Sequence, residues 1–158
     1  MLFRSMEEIF FSGTFGGELL SLAAAKEVLT RHVSQDICRY IADIGTELTS
    51  ATRSIIELHN LENVIKLSGH ESWTFLNWSN SSGFSSDEIK TLFAQETFKR
   101  GVLVLSTHNV TLAHNSKQRS KIIEVYSEVA GLLSDAISSG NLRELLEVKP
   151  LKPLFKVR

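Results

Sequence analysis

The sequence contains one cysteine, Cys38, two prolines, and almost no net charge, with 17 basic against 18 acidic residues. A single cysteine excludes an internal disulfide framework and fits a reducing compartment. It falls inside a helical pattern, where an inert, buried thiol is expected. The balanced charge gives no electrostatic case for binding nucleic acid or an anionic membrane. No apolar run approaches the ~18 residues needed to span a bilayer. Glu7 and Glu8 interrupt the N-terminus, which therefore does not read as a signal peptide. His108 and His114 have no cysteine or carboxylate close by in sequence, so a zinc site is not expected. Internal repeats and long low-complexity stretches are lacking. What is left is an expectation of a cytoplasmic protein with no membrane or nucleic-acid partner. Its 158 residues, 42% of them hydrophobic, suffice for one domain with a real core.

The periodic segments read as follows. Ile9-Phe10-Phe11 is short and apolar enough for a buried strand. Gly17 to about Val33 is helical, with three consecutive alanines, and Ser34 is a candidate N-cap for the next helix. From about Gln35 to His59, Ile37, Ile41, Ile44, Leu48, Ala51, Ile55 and Leu58 alternate steps of four and three, a single apolar stripe on one long helix. Gly45 inside it is unfavourable by ~1 kcal/mol relative to alanine. Val64–Leu67 and Trp73–Trp78 read as two antiparallel strands around a loop, with Thr74, Leu76 and Trp78 on one face. Ser85 and Glu88 match a capping box, and Phe84 with Ile89 its hydrophobic staple, for a helix ending at Gly101. Val102–Leu105 reads as a strand. A helix from about Ser116 to Ser139 ends at Gly140, and Asn141 caps a short helix to about Val148. The expected architecture is α+β: a small antiparallel sheet from about residues 64–78 and 102–113, with long helices packed on one face.

Two stretches carry candidate chemistry. In Phe10-Phe11-Ser12-Gly13-Thr14-Phe15-Gly16-Gly17-Glu18 a strand end breaks into a Gly/Thr turn that opens a helix. Such a turn offers unpaired N–H groups, a hydroxyl and the positive end of a helix dipole, which together suit a phosphate. It is neither a Walker A loop nor a dinucleotide fingerprint. On residues alone, a glycine-rich connection for close packing remains open beside the anion site. The second stretch is Ser106–His114. His108 and Asn109 are placed in a polar turn after a strand, where loops often carry function, and His114 has a structural or capping role before the next helix.

Ser12-Gly13-Thr14-Phe15-Gly16-Gly17-Glu18, with the run to Ala25, resembles the segment of class III aminotransferases that leads from the large domain into the small C-terminal domain. This pyridoxal-phosphate family includes glutamate-1-semialdehyde aminomutase. Phe98–Leu103, His108–His114 and Pro153–Arg158 agree in the family's order. The resemblance implies a fold-type I small domain over residues 17–158, preceded by the end of the large domain in residues 1–16. It implies pyridoxal phosphate as cofactor, with Gly13 and Thr14, aided by Ser12, contacting its phosphate across a dimer. His108 and Asn109 would face the substrate. The lysine that holds the cofactor lies upstream in the family, and no lysine here sits in a matching context. The chain is thus expected to be the tail of such an enzyme, with no catalytic residue of its own and a large domain or full-length subunit as partner. No glutamate lies between Gly101 and Lys121, unlike the aminomutase branch, which favours an ordinary aminotransferase relative. The competing expectation is a non-enzymatic module that dimerises through residues 17–59.

Overall fold

A computed structural model describes residues 17–152. The Ile9–Phe11 segment, the Ser12-Gly13-Thr14 turn and the Pro153–Arg158 tail lie outside the described residues. The chain divides into two compact units, residues 1–38 and 39–158.

In the first unit, helix α1 spans Leu19–Gln35. Glu18 is its N-cap, and its carboxylate accepts from the backbone N–H groups of Leu20 at 2.9 Å and Ser21 at 2.6 Å. These bonds, led by those from Ser21, hold the carboxyl below its ordinary pKa. Asp36 ends the helix in the left-handed region at φ 46°. Ser34 is therefore not an N-cap: it lies in the last turn of α1, where its hydroxyl donates to the Arg31 carbonyl. No residue of α1 is buried, and Leu19, Leu20, Leu22, Leu29 and Val33 are exposed. Cys38 is also exposed, against expectation. It sits about 100° around the helix from buried Ile37, off the inward stripe. Its Sγ lies 3.4 Å from His32 Nδ1.

Helix α2 spans Ile37–Leu58. In the second unit it buries Ile44, Leu48 and Ile55, as the stripe requires. The stripe fails at its end: Leu58 is 70% exposed, whereas Ile56 is 6% and Thr52 5%. A repeat of 3.5 residues drifts by ~20° per heptad on a helix of 3.6, and over these turns the inward face moves to Thr52 and Ile56. Thr52 meets its polar requirement by donating to the Leu48 carbonyl at 2.7 Å.

Strands β1 (Ile65–His70) and β2 (Trp73–Trp78) form an antiparallel hairpin, in register from Ile65 opposite Trp78 to His70 opposite Trp73. The turn is only Glu71-Ser72, shorter than the expected loop. Thr74 and Leu76 point into the core, while Trp73 is exposed and its ring leans on Phe75 with centroids 5.2 Å apart. Helix α3 spans Ser86–Lys99 and starts as its sequence dictates. Ser85 Oγ accepts from Glu88 N–H, and Glu88 Oε2 accepts from Ser85 N–H at 2.7 Å. Phe84 and Ile89 are both buried.

The expected strand at Val102–Leu105 does not form. The third strand is β3, the polar Thr107–Asn109, which pairs antiparallel with β2, placing Asn109 opposite Trp73 and Thr107 opposite Phe75. Gly101 at φ 81° and Ser106 at φ 76° bend the chain on both sides of the apolar run. Val104 is buried and Val102 packs partly buried against the core, but Leu103 is 84% exposed and Leu105 66%. The sheet order is β1-β2-β3.

Helix α4 spans Ser116–Ser139, capped by Asn115 and ended by Gly140 at φ 77°. Val125, Val129 and Leu133 from α4 meet Ile89, Leu92 and Phe93 from α3, with Ile65 and Leu76 from the sheet, in one core. This is the α+β arrangement expected, with helices on one face of a small antiparallel sheet. Helix α5 is a single turn, Leu142–Leu145, and Asn141 gives it no side-chain cap. The Asn141 side-chain Oδ1 instead accepts from Ser139 Oγ at 2.8 Å. Beyond α5 the chain is tied to α3. Gln95 donates to the Leu145 carbonyl and accepts from Glu147 N–H, and Thr91 Oγ1 accepts from Leu151 N–H.

Candidate ligand pocket at the third strand

β2 fixes β3, and β3 fixes the candidate residues. His108 and Asn109 are strand residues, not the polar turn the sequence suggested. Successive strand residues point to opposite faces. His108 therefore turns in towards α4, while Asn109 is exposed. Both border a cavity of about 300 Å³ walled by Leu48 of α2, the 102–105 segment, Val110 and Ile122.

His108 Nε2 lies 2.6 Å from the Tyr126 hydroxyl, and the two rings are 5.4 Å apart. Tyr126 in turn packs edge-on against Phe93, which touches Trp78. Trp78 Nε1 donates to Ser106 Oγ at 2.9 Å, closing a path from β3 through α4, α3 and β2 back to the start of β3. Burial, with a smaller contribution from His114, lowers the His108 pKa from its usual 6.5 to about 4. Burial pushes the Tyr126 hydroxyl well above its ordinary value. Both groups are thus uncharged at neutral pH. Their single hydrogen bond leaves a polar group over in either tautomer. If Tyr126 donates, Nδ1–H of His108 has no acceptor; if Nε2–H donates, the phenolic proton has none. His108 Nδ1 is buried without a partner among the described residues. Such a group carries a penalty of ~1–3 kcal/mol. A neutral imidazole locked to a neutral phenol is a rigid wall with hydrogen-bonding character, not a poised acid or base.

His114 has the structural role expected of it. Its Nδ1 accepts from Thr111 N–H at 3.1 Å, and its carbonyl accepts from Arg119 Nη1 at 2.9 Å. Arg119 Nε lies 2.9 Å from Glu47 Oε2, an ion pair whose angle falls outside that of a hydrogen bond. Sequence reasoning did not single out Tyr126. The signal was there, because a tyrosine on an inward helix face needs a partner for its hydroxyl.

The phosphate-contact candidates Ser12, Gly13 and Thr14 lie outside the described residues. The helix that follows them does not offer free donors at Leu20 and Ser21, since Glu18 takes both. The starts of α3 and α4 are likewise filled: Asn80 and Ser85 accept from Ser86 and Glu88, and Asn115 accepts from Lys117 and Gln118. At these three helix starts the capping side chains already take N–H donors, so the expected phosphate contact rests on residues 12–14. Among the described residues no cluster of histidine, cysteine or carboxylate side chains is placed to hold a metal, and no helix is long and apolar enough to cross a membrane.

No protein-family model matches the sequence, and no curated protein matches it. The fold has a solved counterpart in the PLP internal aldimine form of the Sphingopyxis sp. MTA144 FumI protein, PLP being pyridoxal phosphate. The match has a TM-score of 0.68 and 20% sequence identity, and it covers 89% of this chain and 33% of that one. The chain thus spans a third of the length of a protein whose fold it shares, and the fold over that third is that of part of a PLP-bearing protein.

Proposed function

We propose that this chain is the C-terminal portion of a PLP-dependent aminotransferase of class III, and that it is not catalytic alone. In this reading Gly13 and Thr14, with Ser12 shaping the turn, contact the cofactor phosphate of a neighbouring subunit in a homodimer, in the cytoplasm. The wall built from β3, with His108 and Asn109, borders the substrate. When bound, pyridoxal phosphate supplies the electron sink for amino-group chemistry; this chain's residues bind and enclose. The observation that carries the reading is the fold shared with a PLP-bearing protein over 89% of the chain, with the Ser12–Glu18 motif directly ahead of α1.

The test is direct. The protein is mixed with pyridoxal phosphate, reduced with borohydride and mapped by peptide mass spectrometry. The expected result is no single lysine modified stoichiometrically; one such adduct, or transaminase turnover from the chain by itself, would refute the reading. In an assembly with a chain that supplies the lysine-bearing domain, Thr14→Val is expected to weaken cofactor retention about tenfold or more, as loss of a charge-assisted hydrogen bond does. A second reading, a non-enzymatic interaction module, draws on the wholly unburied α1 and its exposed leucines. In that reading Thr14→Val changes nothing.

A further inference from the structure

The cavity at β3 differs from a site built for acids. Its wall is aliphatic along Leu48, Val104, Leu105, Val110 and Ile122, and its polar lining comes from Thr107, Asn109, Tyr126 and two histidines. No lysine, arginine, aspartate or glutamate lines it. The Arg119 guanidinium, which reaches the His114 carbonyl, is paired with Glu47. His108, which burial keeps uncharged at neutral pH, offers no counter-charge either. A carboxylate brought here would lose its hydration with nothing to replace it. A hydrocarbon chain would be stabilised by each methylene it buries, about fourfold in affinity per group.

We propose that this cavity receives the uncharged, aliphatic part of an amine substrate and turns away substrates with a second carboxylate. The proposal rests on the reading of the β3 wall as substrate-facing and names the substrate class for it. Leu105 sets the preference from an exposed position, since an apolar side chain there extends the wall towards solvent.

The 158-residue protein with ¹³C-labelled methyl groups is titrated in turn with hexan-1-ol, octan-1-ol and glutarate, and the methyl resonances of Val104, Val110 and Ile122 are followed. Both alcohols are expected to shift these signals saturably, octan-1-ol about sixteenfold more tightly for its two further methylenes, while glutarate leaves them in place. Leu105→Arg, at an exposed site that folding does not depend on, is expected to weaken octan-1-ol about fivefold and admit glutarate. Glutarate shifting the wild-type signals as strongly as the alcohols, unmoved methyls with either alcohol, or an unchanged octan-1-ol affinity in Leu105→Arg would overturn the proposal. None of these readouts involves pyridoxal phosphate. A lysine adduct in the borohydride experiment therefore refutes the proposed function without touching them, and failure here leaves that experiment intact.

Discussion

Replacing Gly45 by alanine would place a methyl carbon 1.9 Å from the Glu71 carbonyl oxygen and 2.5 Å from its carbon. Helix propensity alone argues for the replacement, since alanine in a helix interior is favoured over glycine by ~1 kcal/mol. The obstacle, however, is backbone. Glu71 sits in a two-residue turn whose neighbours, His70 and Trp73, are the last pair of the β1–β2 ladder. The clash cannot be relieved by rotating a side chain; either α2 or the whole hairpin must shift. Overpacking of this kind destabilises by ~1–3 kcal/mol, and the upper part of that range applies where the neighbour is held on both sides. Set against the propensity gain, Gly45→Ala is expected to lose about 1–2 kcal/mol. In urea denaturation the midpoint falls without a change in slope, and Tm drops by ~2–4 °C per kcal/mol. Gly131→Ala in α4 is the control. Its methyl would meet only the His59 ring, at 3.2 Å, and its stability is expected to stay within ~0.5 kcal/mol of wild type. If Gly45→Ala is as stable as the parent, the close approach of hairpin and helix does not govern this position.

The His108 imidazole is expected not to titrate above about pH 5 in ¹H–¹³C NMR. Its folded pKa, about 4, lies below the usual 6.5, so the unfolded chain binds the extra proton between those values. The stability it confers is full above pH 6.5 and is lost as the pH falls towards 4. At 1.36 kcal/mol per unit that amounts to ~3 kcal/mol at most. His108→Gln removes this dependence, and parallel wild-type and variant stability curves from pH 7 to 4.5 would contradict the burial argument. Glu88→Gln should destabilise by ~1–2 kcal/mol, because the carboxylate closes the capping box and also accepts from Arg143 Nε and Nη2. Those contacts, led by the hydrogen bond from Arg143, hold the Glu88 pKa at about 2, so the difference between the two proteins should shrink below pH 4.5, and a constant difference down to pH 2 would refute the assignment.

The elements legible in the sequence are those whose signals are local. Ser85 with Glu88 starts α3, Asn115 and Gly140 bound α4, and the alternation at Trp73–Trp78 gives the inward face of β2. Where the sequence misled at Val102–Leu105 and Gly45, the residue's role was set by a distant partner. Val102–Leu105 has the composition of a buried strand, but β2 pairs with the polar Thr107–Asn109 once Ser106 has turned the chain. Ser34 and Asn141 are the right residue types for caps, yet each side chain is taken by a nearer bond. Gly45 looked like a cost until Glu71, far away in sequence, was seen against it. The same holds at the candidate site. His108 was singled out, but its place in a strand and its tie to Tyr126 arise from tertiary pairing that no local pattern encodes.

Gln95 stands in for a missing strand. Its side-chain Nε2–H donates to the Leu145 carbonyl and its Oε1 accepts from the Glu147 N–H, which is what a neighbouring strand's backbone would do. A main chain recognised in this way is read without regard to its side chains. Saturation mutagenesis should therefore find tolerance in the segment that is recognised and restriction at the residue that recognises it. Positions 145 and 147 should accept most residues other than proline, whereas Gln95, on a helix surface that would ordinarily be permissive, should accept only asparagine-like chemistry at its own reach.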